Sequence, residues 1–94
     1  MKVRVRSFAA LSGLLGGDAV ELELPEGSTV RDALEALGKR FGRRVKDVIF
    51  NGEGRLARAL KVLVNGRDID FLSGLMTTLK DGDEVFLFPP VGGG

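Results

Sequence analysis

The strongest constraint on the fold is a pair of short segments near the N-terminus in which polar and apolar residues alternate. Residues 2–8 alternate basic side chains with valines, and residues 18–24 alternate glutamates with aliphatic side chains. A period of two is typical of strands that bury one face. Antiparallel pairing of the two segments would set arginines opposite glutamates, and each such pair contributes about 0.2–1 kcal/mol. The sequence therefore predicts an N-terminal hairpin with one buried face and one charged face.

One amphipathic helix is expected to follow this hairpin. Thr29 and Asp32 have the spacing of a capping box at a helix start, and Gly42 is a residue type that ends helices. The apolar positions between them recur every three or four residues, which places them on one helical face. These positions are Val30, Ala33, Leu34, Leu37 and Phe41. We expect this face to pack on the sheet that the hairpin begins.

The remaining strands come from the second half of the chain. Val45, Val48 and Ile49 could continue a helical face, but we expect irregular structure over residues 43–60. A short strand should then lead into Asn65-Gly66, a hairpin signal because both positions tolerate positive φ. The apolar residues that should anchor the next connection in the core are Ile69, Phe71, Leu72, Leu75 and Leu79. Residues 84–88 alternate as the last strand.

This order of elements indicates the fold class. Two strands, a helix and two or more strands, with the first pair antiparallel and a helix crossing between the halves, predict an α+β fold. The arrangement is that of the ubiquitin-like β-grasp, with one main helix on a mixed sheet of four to five strands. We expect this domain to span residues 1–88.

The residue types that the chain lacks exclude several kinds of chemistry. There is no Cys, His, Tyr or Trp among the 94 residues. A thiol nucleophile, a disulfide, a thiolate or imidazole metal site and a histidine general base are therefore unavailable. We expect no metal site, no bound cofactor and no catalytic side chains. The net charge of +1 favours neither nucleic acid nor an anionic membrane as a partner.

The N-terminus resembles a signal peptide only faintly. Basic residues alternate with valines there, and glycines interrupt the apolar run of residues 8–15. Nothing in the chain approaches the ~20 consecutive apolar residues of a membrane-spanning helix. We therefore expect a cytoplasmic protein.

The C-terminal tail, residues 89–94, is the segment best suited to function. It reads Pro89-Pro90-Val91-Gly92-Gly93-Gly94. Prolines cannot continue a sheet and hold the backbone extended, whereas glycines can pass through a channel too narrow for any side chain. The reach from Pro89 is roughly 20 Å at ~3.3 Å per residue. We predict a flexible tail that enters a partner protein; a frayed terminus without function is the alternative.

The segment before the tail carries a family resemblance. Residues 79–85 read Leu-Lys-Asp-Gly-Asp-Glu-Val, and a hydrophobic strand and the Pro-Pro-Val-Gly-Gly-Gly tail follow. This closing segment resembles that of the small subunit of molybdopterin synthase, a ubiquitin-like sulfur carrier. Val64-Asn65-Gly66 and the opening strand that runs into Phe8-Ala9 match the same family, whereas residues 43–60 match it only loosely.

The resemblance implies a carrier function. In such carriers a partner adenylating enzyme uses ATP to activate the C-terminal carboxylate, here that of Gly94, and a sulfur donor displaces AMP to leave a thiocarboxylate. In molybdopterin synthase the tail then enters the large subunit and delivers the sulfur to a pterin precursor. The tail residues that would occupy the channel of that partner are Pro89, Pro90, Val91, Gly92 and Gly93. A ubiquitin-like modifier joined to lysines, and a carrier for tRNA or thiamine thiolation, are the alternatives.

Three further features allow a structural or a functional interpretation. Phe86 and Phe88 alternate with core positions, so we expect them, with Phe8, to form an apolar partner-binding patch rather than only core packing. A basic cluster over residues 39–46 is expected to be a solvated helix terminus rather than a phosphate or RNA site. The acidic residues at 81–84 suit a turn better than a cation site.

Overall fold

The computed structural model describes residues 1–89 of the chain, apart from the side chain of Ala10. The strands are β1 (Lys2–Ser7), β2 (Ala19–Glu23), β3 (Lys61–Val64), β4 (Arg67–Asp68) and β5 (Glu84–Phe88). The helices are α1 (Ala10–Leu15), α2 (Val30–Phe41) and α3 (Arg43–Ile49). Two short 3-10 turns, Ile69–Phe71 and Gly74–Met76, connect β4 to β5.

All five strands belong to one mixed sheet in the order β2-β1-β5-β3-β4. Strand β1 pairs with β5 in parallel, and the other three pairings are antiparallel. A parallel pair requires a crossover connection, which runs here through α2 and α3. The prediction of an α+β, ubiquitin-like β-grasp is confirmed, and the last strand of the chain lies in the middle of the sheet.

The N-terminal hairpin has the predicted register. Arg4 lies opposite Glu21 and Lys2 opposite Glu23, while Val3 lies opposite Leu22 on the buried face. Charged residues therefore share one face of β1 and β2, and the other face packs into the core.

Helix α2 begins at the predicted capping box. The Thr29 hydroxyl accepts a hydrogen bond from the backbone N–H of Asp32, and the Asp32 carboxylate accepts one from the N–H of Thr29. The helix buries Val30, Ala33, Leu34, Leu37 and Gly38. It ends at Gly42, whose φ of 94° is unfavourable for residues with a Cβ.

The expectation of irregular structure over residues 43–60 is wrong for its first part. Residues Arg43–Ile49 form α3, which buries Val45 and Ile49 completely. The helix starts without a side-chain cap, because Gly42 both ends α2 and precedes α3. The sequence therefore offers no start signal here, and tertiary burial of two aliphatic side chains stabilises the helix instead.

The β3–β4 hairpin turns at the predicted dipeptide. Asn65 has φ of 50° and Gly66 has φ of 87°, the positive values that a two-residue type I′ turn requires. Ile69 and Leu79 are buried in the following connection as expected. Phe71 and Leu72, which were expected to be buried, point outward: Phe71 is 88% exposed and Leu72 is 36% exposed. The 3-10 turn has about three residues per turn, so it directs Ile69 inward and Phe71 away from the core.

The core lies between one face of the sheet and the helices. It includes Val3, Val5, Leu34, Leu37, Val62, Val85 and Leu87, each 1% exposed or less. None of the helices in residues 1–89 is long and apolar enough to cross a membrane.

Candidate functional site

Strand β5 carries the chain to the tail through the centre of the sheet. Val85 and Leu87 are completely buried on its helix-facing side, and Pro89, which was assigned to the tail, is also buried. The other predicted tail residues lie outside the described residues; they are Pro90, Val91, Gly92, Gly93 and Gly94. Their proposed roles, and the domain boundary after residue 88, remain predictions.

The three aromatic residues named from the sequence lie together on the sheet face opposite the helices. The rings of Phe8 and Phe88 stack with centroids 4.4 Å apart and planes 5° from parallel. Phe86 lies next along this face, with its ring centroid 6.5 Å from that of Phe88. The parallel register explains the contact: Arg6 lies beside Phe86, so two residues further along each strand Phe8 lies beside Phe88.

This aromatic face is accessible to a partner. Phe8 is 39% exposed, Phe88 is 37% exposed and Phe86 is half-buried. These rings are already fixed by stacking and remain partly exposed, so a partner could bury their apolar surface with little loss of side-chain entropy. Aromatic residues of this kind are typical anchors of protein interfaces. We call the surface of Phe8, Phe86 and Phe88 the aromatic face.

An open groove of about 640 Å³ extends the aromatic face toward the sheet edge. Its apolar lining consists of Leu63, Phe71, Leu72 and Phe88. Leu63 lies opposite Phe86 in the sheet register. Leu63, Phe71 and Leu72 are not among the site residues predicted from the sequence. Alternation in β3 could have identified Leu63, because its neighbours Val62 and Val64 face the core.

Charged pairs border the apolar surface on two sides. Arg6 donates from Nε to a Glu84 carboxylate oxygen at 2.6 Å. At the groove, Lys61 Nζ donates to an Asp68 oxygen at 2.7 Å. This hydrogen bond, followed by one from the backbone N–H of Asp70, lowers the pKa of Asp68 below its ordinary value. The same contact with Asp68 raises the pKa of Lys61.

The carboxylates of the acidic turn before β5 accept hydrogen bonds from within the protein. An Asp81 oxygen accepts from the backbone N–H of Lys2, and Asp83 accepts from the side chain of Asn65 and from the N–H of Lys80. Among residues 1–89, no group of three or more acidic side chains is arranged to hold a metal ion. These carboxylates therefore shape the turn, as the sequence indicated.

The described part of the site can bind but offers little chemistry. The aromatic face and groove combine phenyl and aliphatic surfaces with paired charges, and these supply area and orientation. The reactive group that the sequence predicts is the terminal carboxylate of Gly94, at the end of the tail that follows this surface.

A five-stranded β-grasp sheet, an aromatic face and a central last strand that leads to a glycine-rich terminus define a ubiquitin-like carrier protein. The chain belongs to the ThiS family, whose model matches residues 5–94. The family prediction from the closing segment is thereby confirmed at the level of ubiquitin-like sulfur carriers.

Three known proteins illustrate the relationship. Small archaeal modifier protein 3 of Haloferax volcanii is 34% identical over 94 residues, with both chains covered completely. Sulfur carrier protein CysO of Mycobacterium tuberculosis is 37% identical over 68 residues, covering 72% of this chain and 70% of CysO. The solution structure of small archaeal modifier protein 1 from Methanosarcina acetivorans has 35% identity and a TM-score of 0.87, covering 99% of this chain and 96% of that one.

These relatives are carriers and modifiers rather than catalysts, and this chain has the same general ubiquitin-like, sulfur-carrier role. The comparisons do not single out molybdopterin synthase, the particular assignment made from the closing segment. The modifier alternative is the better supported of the two, because small archaeal modifier proteins 1 and 3 both match this chain over nearly its whole length.

Proposed function

We propose that this chain is a ubiquitin-like protein modifier that becomes activated at Gly94 and also serves as a sulfur carrier through the same group. The observation that carries the proposal is the position of the aromatic face. Phe88 is the last residue of the central strand and stacks on Phe8, so a partner that binds this face would also meet the start of the tail.

Activation requires a partner enzyme. A Gly94 carboxylate oxygen attacks the α-phosphorus of ATP, pyrophosphate leaves, and an acyl-adenylate forms. The ε-amine of a target lysine, once deprotonated, can displace AMP to form an isopeptide bond. Hydrosulfide can displace AMP to leave a thiocarboxylate; if the donor is a persulfide, an acyl disulfide forms first and a thiol must reduce its S–S bond. Both outcomes use one activated carboxyl group, and neither needs a catalytic side chain from this chain. ATP-dependent activation suits the cytoplasmic location that the sequence predicts.

Delivery of sulfur to tRNA, or to a pterin precursor in the large subunit of molybdopterin synthase, remains the second candidate. The observation that favours the latter is the Asp-Gly-Asp-Glu-Val motif at residues 81–85 followed by Pro-Pro-Val. In that case the tail would enter the large subunit, and protein conjugates would not form.

Conjugate mapping in the source cells distinguishes the candidates. Lys80 is the last basic residue of the chain, so trypsin would leave residues 81–94 attached to each modified lysine. We expect such branched peptides from cells that produce the full chain, and none from a variant without Gly93 and Gly94. Absence of branched peptides, together with loss of molybdenum-cofactor synthesis when the gene is deleted, would favour molybdopterin synthase.

A further inference from the structure

Five basic side chains are concentrated where α2 ends and α3 begins. These are Lys39, Arg40, Arg43, Arg44 and Lys46, all of them exposed; we call them the basic surface. Asp47 is the one acidic residue in the segment 39–47, so this segment carries a net charge of +4. Because the whole chain carries only +1, the rest of it carries −3. The charge of the molecule is therefore strongly uneven.

Helix stability accounts for only part of the basic surface. Lys39 and Arg40 lie in the last turn of α2, where the helix dipole favours cations. Arg43 and Arg44, in contrast, open α3, whose first turn contains no acidic residue and disfavours positive charge. The sequence alone places all five cations at the C-terminal end of a single helix. Because Arg43 and Arg44 instead lie at the N-terminal end of α3, the helix dipole does not explain these two arginines.

The basic surface has no carboxylate partner within residues 1–89. The ion pairs there join Arg6 to Glu84, Arg31 to Glu35, Lys61 to Asp68 and the N-terminus to Glu23. None of them involves the five cations. Like charges at this spacing repel one another, so an external group of opposite charge would relieve the repulsion.

Two of the five side chains are held in position. Arg40 donates from Nη1 to the carbonyl oxygen of Glu21 at 3.0 Å, and its guanidinium lies 5.1 Å from the ring centroid of Phe41. The stem of Lys46 lies against Gly38, where a Cβ would come within 2.6 Å of Lys46 Cγ. Pre-positioned cations lose less side-chain entropy on binding, which favours recognition.

A groove of about 470 Å³ adjoins the basic surface. Lys39 and Lys46 line it together with Phe50, over whose ring the Arg31 guanidinium lies at 5.8 Å. Glu35 and Asp47 also line the groove, and Glu35 is paired with Arg31. The groove therefore offers an extended peptide a contact surface, while the attraction for acidic side chains comes from the cations of the basic surface beside it.

The basic surface lies away from the aromatic face. Helix α2 buries Leu34 and Leu37 between itself and the sheet, whereas Phe88 lies on the opposite side of that sheet. One partner can therefore occupy the aromatic face and the tail while another contacts the helices.

We infer that the basic surface docks an acidic segment of a second protein partner while the tail is engaged by the activating enzyme. This inference adds a partner to the proposed function, and its simultaneous-binding part rests on that function. An acidic protein segment is favoured over nucleic acid because the rest of the chain carries net negative charge, which would repel a long polyanion.

The test uses the full chain and a fluorescein-labelled peptide that alternates glutamate with glycine. Binding is measured by anisotropy, and contacts are mapped by amide chemical shifts. The probe variant is Arg43→Glu/Arg44→Glu, which places acidic residues in the first turn of α3, where the dipole favours them. The matched control is Arg55→Glu/Arg58→Glu, two exposed arginines in the segment after α3 with the same change in net charge.

We expect the peptide to shift amides of residues 38–47 and its affinity to fall about tenfold in the probe variant but within about twofold in the control. If both variants lost affinity equally, the effect would come from net charge alone, and the inference would be overturned. Tighter binding of a single-stranded RNA of the same charge would overturn the choice of a protein partner.

A second arm separates this inference from the proposed function. Adenylation of Gly94 should proceed at an unchanged rate in the probe variant, and the peptide should stay bound when the activating enzyme is added. If the enzyme displaced the peptide, or if the probe variant lost adenylation, the basic surface would belong to the activating enzyme and the second partner would be refuted. If the wild-type chain were not adenylated at all, the proposed function would be refuted instead.

Discussion

The rings of Phe8 and Phe88 stack at a centroid distance of 4.4 Å, which joins the end of the first strand to the end of the last. Phe88 directly precedes Pro89, so this contact also fixes where the chain leaves the central strand. The stack therefore places the aromatic face beside Pro89, the last described residue, and substitution of Phe88 tests the face directly.

Replacement of Phe88 by alanine should weaken partner binding far more than it weakens the fold. We expect binding to the activating enzyme to lose about 2 kcal/mol, roughly 30-fold, because a partly exposed stacked aromatic ring is a typical anchor. The free energy of unfolding should fall by only about 1 kcal/mol. Calorimetric titration and urea unfolding measure the two quantities.

Met76→Ala is the matched control for this variant. Met76 is 66% exposed and lies outside the groove beside Phe88. It should leave binding unchanged. Equal effects of the two substitutions on binding would show that the aromatic face is not the contact surface.

The backbone of Ala9 is strained at the point where the chain turns from Phe8 into α1. Its φ of 56° and ψ of −138° lie in a region that only glycine adopts readily. Ala9→Gly should therefore stabilise the protein by about 1 kcal/mol, after allowance for the entropy that glycine adds to the unfolded chain. Urea unfolding checks this, with Gly16→Ala, at φ of 76°, expected to destabilise. A destabilised Ala9→Gly variant would refute strain at this position.

The sequence predicts local structure most reliably where a few neighbouring residues determine it by themselves. Thr29 and Asp32 cap α2 as their spacing indicates, and Asn65-Gly66 takes the positive φ values that the dipeptide allows. Phe8 and Phe88 were chosen by alternation and position, yet their contact depends on the parallel β1–β5 pairing, which local patterns do not encode.

The failures have equally specific causes. Helix α3 lacks a capping side chain, so nothing in residues 42–49 marks its start, and burial of Val45 and Ile49 was not visible from a seven-residue segment. Phe71 was assigned to the core because it is apolar, but a 3-10 turn directs it into solvent. In both places tertiary packing determines whether a short apolar segment forms a helix and whether its side chains are buried.

The contribution of α3 to stability can be measured at Ile49. This side chain is completely buried, so Ile49→Ala should cost about 3 kcal/mol through lost burial and the cavity that remains. Val48, one residue earlier, is only half-buried, and Val48→Ala should cost about 1 kcal/mol. Urea unfolding of both variants tests this order; a smaller loss at Ile49 would mean that α3 does not pack as described.

The Lys61–Asp68 pair should give a measurable titration signature at the groove. Because its folded-state pKa is lowered, Asp68 contributes stability that is present above its unfolded pKa and is lost as the pH falls through the folded value. The folded-state pKa of Lys61 is raised. Lys61 therefore contributes stability that is fully present at pH values below its unfolded pKa and is lost as the pH rises through its folded pKa.

Carbon-detected NMR titration of the Asp68 carboxyl tests this assignment. In Lys61→Met the midpoint should move upward toward the ordinary aspartate value, but not fully, since the hydrogen bond from the N–H of Asp70 remains. An unchanged Asp68 midpoint in this variant would show that Lys61 is not its main stabilising partner.

In the proposed function Gly94 carries the activated group, while the domain binds partners and supplies no reacting side chain. Intact mass spectrometry after incubation with the cognate adenylating enzyme, ATP and a sulfur donor tests this directly. We expect the mass gain of one oxygen replaced by sulfur, located at the last residue by fragmentation and absent from a variant without Gly93 and Gly94. No mass change in a system that converts a known carrier, or a change located elsewhere in the chain, would contradict it.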